Sequence, residues 1–254
     1  MRLEVNGVSP ASDELRALLV NGYGHFTAMQ IRNRRVRGLD LHLARLAEGN
    51  AELFGAGLDG DQILEWLRHA LGADTEASAR ILLQQPDPAQ APSVTIIVRP
   101  PAAMPATQTL QSAPYQRSVA HIKHLGDFGQ RYYGSLAGRS GFDEALLTGQ
   151  DGLISEGSVT NVGFFDGTDV IWPAAPMLAG ITMQVLQREL RRAGIGQRHA
   201  QVRLADLGAF TSLFACNSRG VAAVTRVDDR AIPVDAEFIR QLSESYESAA
   251  ADEI

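Results

Sequence analysis

Two apolar rhythms alternate along the first hundred residues. "HFTAMQIRNRRVRGL" (25–39) alternates side-chain character around a basic "RNRR", the pattern of a hairpin. "DLHLARLAEGNAELFG" (40–55) changes period: Leu43, Leu46, Leu53 and Phe54 recur at helical spacing. Asp40 stands where an N-cap belongs and Gly55 where a helix closes. "DGDQILEWLRHALGAD" (59–74) predicts a second helix of the same kind, and "MRLEVNGVSP" a strand and turn. "ARILLQQ" and "SVTIIVRP" read as strands parted by a Pro-containing loop. The Pro- and Ala-rich "PPAAMPATQ" (100–108) then breaks the pattern and marks a linker, dividing the chain into domains at 1–108 and 109–254.

The second half reads differently. "SVAHIKHLG" predicts a short strand ending at its lysine, and "FGQRYYGSLAGRSG" a helix. "EALLTG", "GLISEGSVTNVGFFDGTDVIWP" and "SLFACNSRGVAAVTRV" predict short strands with Gly and Asp turns. "ITMQVLQRELRRAG" (181–194) is a helix ended by Gly194, and "DAEFIRQLSESYESAA" (235–250) a helix capped by Asp235. Strands and helices interleave irregularly without internal repeat, which predicts an α+β protein of two lobes.

Composition narrows the class. The 254 residues are 45% apolar, enough for a substantial core, and the net charge of −6 with no basic block argues against nucleic acid. No run approaches a membrane span, and the N-terminal stretch lacks the basic-then-apolar pattern of a secretory leader, so a cytoplasmic protein is expected. A single cysteine, Cys216, leaves no intramolecular disulfide and no cysteine-cluster metal site; no metal is expected.

The basic residues hold the first chemical signal. Lys123 is the sole lysine among 23 Lys and Arg. G+C-rich coding explains many arginines, but not why this one position keeps an amine. A guanidinium stays protonated; an amine can lose its proton and attack a carbonyl to form a Schiff base. Four other stretches add to it. Gly180–Thr182 opens a helix whose free N–H groups suit an anion, or is an ordinary Thr cap. "NSRG" (217–220) is a turn exposing N–H groups and the Ser218 hydroxyl, or a plain hairpin turn. Glu156 ends an apolar strand, where a carboxylate needs a strong partner unless it sits exposed in a turn. Arg45 lies beside the apolar face of its helix, unless it is simply a solvated charge. Together they supply an amine, phosphate donors and a carboxylate, the set that pyridoxal 5′-phosphate (PLP) requires.

The order of "HLARL", "IKHL", "ISEGSVTNVGFF", "LAGITMQVL" and "FACNSRGVAAV" resembles the successive signatures of the class IV, or fold-type IV, PLP-dependent aminotransferases over about residues 22–230. The resemblance implies a smaller N-terminal α+β lobe, a larger C-terminal pseudo-barrel lobe and a homodimer. It implies that Lys123 is the Schiff-base lysine and moves the substrate proton, and that Glu156 faces the pyridine nitrogen. Arg45, Ile181, Thr182, Asn217 and Ser218 would hold the phosphate, and Asn161 would support the turn after Glu156. The substrates would be an amino acid or amine and a 2-oxo acid, with Arg32, Arg34 or Arg219 meeting a substrate carboxylate. Departures matter too. The tyrosine that branched-chain enzymes carry five residues after the lysine is Phe128 here. Thr27, in "HFTAM", replaces the hairpin glutamate common in aminotransferases. The Phe-Thr pair and "IKHL" are more similar to 4-amino-4-deoxychorismate lyase, which releases pyruvate and p-aminobenzoate. A lyase is therefore the alternative, and a non-catalytic PLP-binding protein a further one.

Overall fold

The structure, a computed structural model, describes residues 1–11 and 22–254. The stretch read as lacking a leader falls partly on 12–21, outside the described residues. The chain divides into two compact units: Met1–Ala102 with Ile122–Gly126 and Ala250–Ile254, and Ala103–His121 with Asp127–Ala249. The units therefore do not follow a single cut: five residues around Lys123 belong with the first.

The first unit contains β1 (Arg2–Val5), β2 (Gly24–Ile31), β3 (Arg35–Arg37), α1 (Leu39–Phe54), α2 (Gly60–Leu71), β4 (Ala77–Gln84) and β5 (Ser93–Arg99). An antiparallel sheet of order β1-β5-β4-β2 lies against the two helices. Met29, Ile81, Leu83 and Ile96 of the sheet pack with Leu46, Ile63, Leu67 and Leu71 of the helices. Each such side chain contributes roughly 1.5–3 kcal/mol on full burial.

Local chemistry sets the helix ends. Asp59 Oδ1 accepts from the Asp61 and Gln62 N–H groups at 3.0 and 3.1 Å, and Gly72, with φ 57°, ends α2 at Leu71, three residues before the sequence reading. Gly55 closes α1 as expected, but Asp40 is not its cap. The chain turns into the helix at Gly38, with φ 66°, which puts Asp40 in the first turn. The hairpin forms at "RNRR": Asn33 and Arg34 both take positive φ, and Arg32 and Arg35 exchange backbone bonds of 3.0 and 2.9 Å.

The second unit contains β6 (Thr107–Ala113), α3 (Phe128–Arg139), β7 (Glu144–Thr148), β8 (Ile154–Gly157), β9 (Asn161–Phe165), β10 (Val170–Pro173), α4 (Ile181–Arg192), β11 (Gln197–Ala200), a 3₁₀ turn (Leu204–Ala209), β12 (Ser212–Asn217), β13 (Gly220–Val227), β14 (Arg230–Ala231) and α5 (Ala236–Ser248). Its mixed sheet runs β11-β10-β9-β12-β13-β6-β7-β8, with β14 on β13, and curls into a half-barrel. Every residue of β7, β8 and β10 is buried. These strands are covered on both faces; β10 reads as a continuous apolar run, while β7 and β8 each bury a glutamate, Glu144 and Glu156. On one face Leu186 and Leu190 of α4 meet Phe238 and Leu242 of α5, whose start is capped by Asp235 Oδ1 on the Phe238 N–H at 3.0 Å. The last strand, β15 (Ala251–Glu253), pairs antiparallel with β3 in the first unit.

Two readings are corrected. The end of the expected linker is β6, which runs parallel to both β13 and β7. "SVAHIKHLG" is not a strand: 118–121 form turns with Val119 at φ 48°, because Ala120 and Ile122 are buried individually rather than along a ladder.

Candidate active site

The first unit builds its chemistry on β2 and α1. The lysine loop is laced to β2: the Phe26 N–H donates to the Lys123 carbonyl at 2.9 Å, and the Leu125 N–H to the Gly24 carbonyl at 2.8 Å. This holds the Lys123 ammonium 4.8 Å from the centroid of the Phe26 ring, where the ring's negative face attracts it. One residue on, Thr27 points to the other face and is fully buried. Its hydroxyl lies 2.6 Å from His42 Nδ1, and Arg45 Nη2 donates to the same oxygen.

Arg45 has only donors, so the Thr27 oxygen accepts from it, and a second lone pair and one proton remain for the bond with His42 Nδ1. His42 and Arg45 lie three residues apart on α1, close enough on its surface to share one partner. Burial holds the His42 pKa well below the ordinary histidine value, and the nearby Arg45 and Lys123 charges lower it further. His42 is therefore neutral across the physiological range. His25, packed against Gly49 and Phe54, is lowered to about 4, chiefly by burial.

The second unit builds around Glu156. Arg117 Nη1 donates to Glu156 Oε1 at 3.4 Å, both side chains being almost wholly buried. The Leu178 N–H donates to Glu156 Oε2 at 3.3 Å, and Asn161 Nδ2 donates to the Leu178 carbonyl at 2.7 Å. Glu156 and Asn161 thus hold Leu178 by both its peptide groups, two residues before Gly180. Helix α4 starts at Ile181, with Gly180 as a cap that lends no side chain, so its first N–H groups are left for another acceptor. Thr182 is buried in that first turn, with its hydroxyl 3.5 Å from the Tyr246 hydroxyl. A Cβ on Gly180 would overlap Asn161 Oδ1. With φ −65° the backbone there tolerates any residue, so space alone demands glycine. Gly180→Ala is expected to cost about 1–3 kcal/mol by overpacking and to push Asn161 off Leu178; urea denaturation and PLP titration check both.

The remaining sequence candidates fall as follows. Asn217 Nδ2 donates to the Val159 carbonyl at 3.3 Å and its Oδ1 accepts from the Arg219 N–H at 2.9 Å; Ser218 follows in the turn between β12 and β13. Arg32 pairs with Glu76 at 3.4 Å and donates to the Ile31 and Ala102 carbonyls at 3.0 Å each. Arg34 donates to the Gly72 and Asp74 carbonyls. Arg219 is half-buried, and its charge is felt by Glu144.

Sequence reasoning missed Arg117, Glu144 and Tyr246 and set His42 aside. The need of Glu156 for a strong partner was legible, but that Arg117 would meet it was not. Among the described residues no group of His, Cys, Asp or Glu could hold a metal, and no helix is long and apolar enough to cross a membrane.

Several solved structures share this architecture. The fold IV-transaminase CpuTA1 from Curtobacterium pusillum matches with a TM-score of 0.80 at 23% identity, over 91% of this chain and 88% of that one. A hypothetical aminotransferase from Mycobacterium tuberculosis, in a PLP-bound form, matches at 0.83 and 20%, over 97% and 98%. The branched-chain amino acid aminotransferase from Escherichia coli matches at 0.85 and 17%, over 99% and 98%. No curated protein sequence matches the chain. The fold is that of the fold-type IV PLP enzymes. The chain belongs to the class IV aminotransferases, whose profile, described as Amino-transferase class IV, matches residues 24–227.

Its cofactor is accordingly PLP. The donor set suits that group: one amine, a buried carboxylate backed by a guanidinium, and an uncapped helix start cleared of any Cβ.

Proposed function

We propose that this enzyme transfers an amino group from an amino acid or amine to a 2-oxo acid. The observation that carries the reading is the anchoring of the sole lysine: two backbone bonds seat its loop on β2, beside Phe26, with Arg45 and neutral His42 in the same unit. When bound, PLP supplies an aldehyde for an amine and an electron sink for the substrate's bonding electrons.

The chain's own groups do the rest. Lys123 Nζ takes the proton from the substrate carbon and returns it on the cofactor side, a transfer that contributes roughly 10² to 10⁴-fold. Glu156, held in orientation by Arg117 and Leu178, presents a carboxylate to the pyridine nitrogen. Arg45, with the Ile181 and Thr182 N–H groups, the Thr182 hydroxyl, Asn217 and Ser218, binds the phosphate. Asn161 keeps Leu178 and the start of α4 in place. Arg219 is the favoured partner for a substrate carboxylate: among the described residues no hydrogen bond or ion pair engages its side chain, whereas Arg32 and Arg34 are committed to local acceptors. The family resemblance implies a homodimer.

Mixing holoenzyme with an amino donor and no acceptor tests the reading. Stoichiometric conversion to the pyridoxamine form is the expected result, read as loss of visible absorbance; no conversion across a broad amine panel defeats it. A lyase reading keeps one specific support: Thr27 stands where aminotransferases commonly carry a glutamate, and its hydroxyl is occupied by Arg45 and His42. Pyruvate release from aminodeoxychorismate, with the cofactor unchanged, would establish that alternative.

A further inference from the structure

Glu144 opens β7 and is 3% exposed. Nothing in the chemistry above employs it. A single oxygen, Oε1, accepts from the Val159 N–H at 2.6 Å, the Thr160 hydroxyl at 3.0 Å and the Ser158 hydroxyl at 3.4 Å. Residues 158–160 are the whole connection between β8, which ends with Glu156 and Gly157, and β9, which begins with Asn161. The Gly157 N–H closes that turn on the Thr160 carbonyl at 2.8 Å, and the Ser158 N–H ties it to the Ala145 carbonyl at 2.9 Å. A Cβ on Gly157 would overlap both the Thr160 hydroxyl and Glu144 Oε1. The carboxylate is thus packed directly against the turn, in hydrogen-bond contact with it through Oε1 alone.

Burying a carboxylate is unfavourable; burial raises the Glu144 pKa, and the bonds from Val159 and Thr160 and the Arg219 charge oppose the rise. An apolar side chain would fill the space at lower cost but could gather no donors. What those donors share is the path between Glu156 and Asn161, the two side chains that grip the opposite sides of Leu178.

We propose that Glu144 is a positioning residue for the cofactor site: by drawing residues 158–160 onto one oxygen, it sets the spacing at which Glu156 and Asn161 hold Leu178 and present the Glu156 carboxylate. This rests on the reading of Glu156 as the partner of the pyridine nitrogen.

The test compares Glu144→Gln, which keeps the acceptor oxygen, with Glu144→Met, which keeps the volume and loses it. The readouts are PLP dissociation constant, rate of the amino-donor half-reaction, and melting temperature with and without PLP. The Gln variant is expected within about twofold of wild type. The Met variant is expected to bind PLP about tenfold more weakly, the scale seen for groups that stand behind direct ligands, and to gain less melting temperature from added PLP. Should Met fail to fold, Thr160→Val removes one donor alone and is expected to weaken PLP by about threefold, the worth of one hydrogen bond.

Equal loss in Gln and Met would overturn the proposal. So would a folded Met variant, or a Thr160→Val variant, with unchanged PLP affinity. Glu156→Gln separates the two levels. If it leaves the bound-PLP spectrum and half-reaction unchanged, the reading of Glu156 has failed and the proposal with it. If it impairs them while Glu144→Met does not, only the proposal falls.

Discussion

Lys123→Ala is expected to lower turnover by at least about 10² to 10⁴-fold, the range for loss of a positioned proton carrier. The variant should also lose the absorbance of the lysine-bound cofactor, since the chain has no second lysine to substitute. PLP should nevertheless bind, because the partners proposed for its phosphate and pyridine nitrogen are other residues. A small primary amine added to the medium should restore part of the proton transfer while leaving the affinity for substrate unchanged. Wild-type turnover in the alanine variant would remove Lys123 from the chemistry. The backbone bonds of the loop are made by the Lys123 carbonyl and the Leu125 N–H, so they survive the substitution. A drop in activity would therefore reflect the missing amine rather than a displaced loop.

Arg117→Met is expected to be the most damaging single change to stability. It removes the buried guanidinium that donates to Glu156 Oε1 and keeps the Leu178 N–H bond. Removing one partner of a buried pair costs about 3–5 kcal/mol, because the surviving charge keeps its desolvation penalty. Urea denaturation of the apoprotein reads this as a fall in midpoint. Arg117→Met combined with Glu156→Met should be less destabilised than Arg117→Met alone, since the carboxylate that faced the guanidinium is removed with it. A double variant as weak as the sum of the single ones would show that the two side chains do not act as a pair.

The candidate site was more legible than the connections that build it. The sole lysine, the Gly-Ile-Thr helix start and the Glu156 element were visible because each departs from what a plain structural segment needs. Arg117 was invisible for the opposite reason. One arginine among 22 looks like any other until the fold buries it against a carboxylate. His42 could not be read either: its role depends on Thr27, fifteen residues away on another element. Glu144 looked like an ordinary strand terminus.

The fold divided along similar lines. Helices with strong period and clear ends were placed closely: α5 to within two residues with its cap Asp235, and α2 at its start, although it ends three residues early. Misreadings came where long-range pairing overrode local pattern. The start of β6, Thr107 and Gln108, was taken for linker because its Pro-rich approach masks a strand that only β13 and β7 complete. The lysine segment was taken for a strand because its residues suit one, although its backbone bonds go singly to β2.

That stitching has a consequence outside catalysis. β2 stands at the margin of its sheet, with β4 on one side only. A bare margin offers ladder groups to any passing chain and invites aggregation. The lysine loop occupies those groups at Gly24 and Phe26, so the segment that carries Lys123 also covers part of an edge that would otherwise invite aggregation. Loosening it would harm solubility and chemistry together.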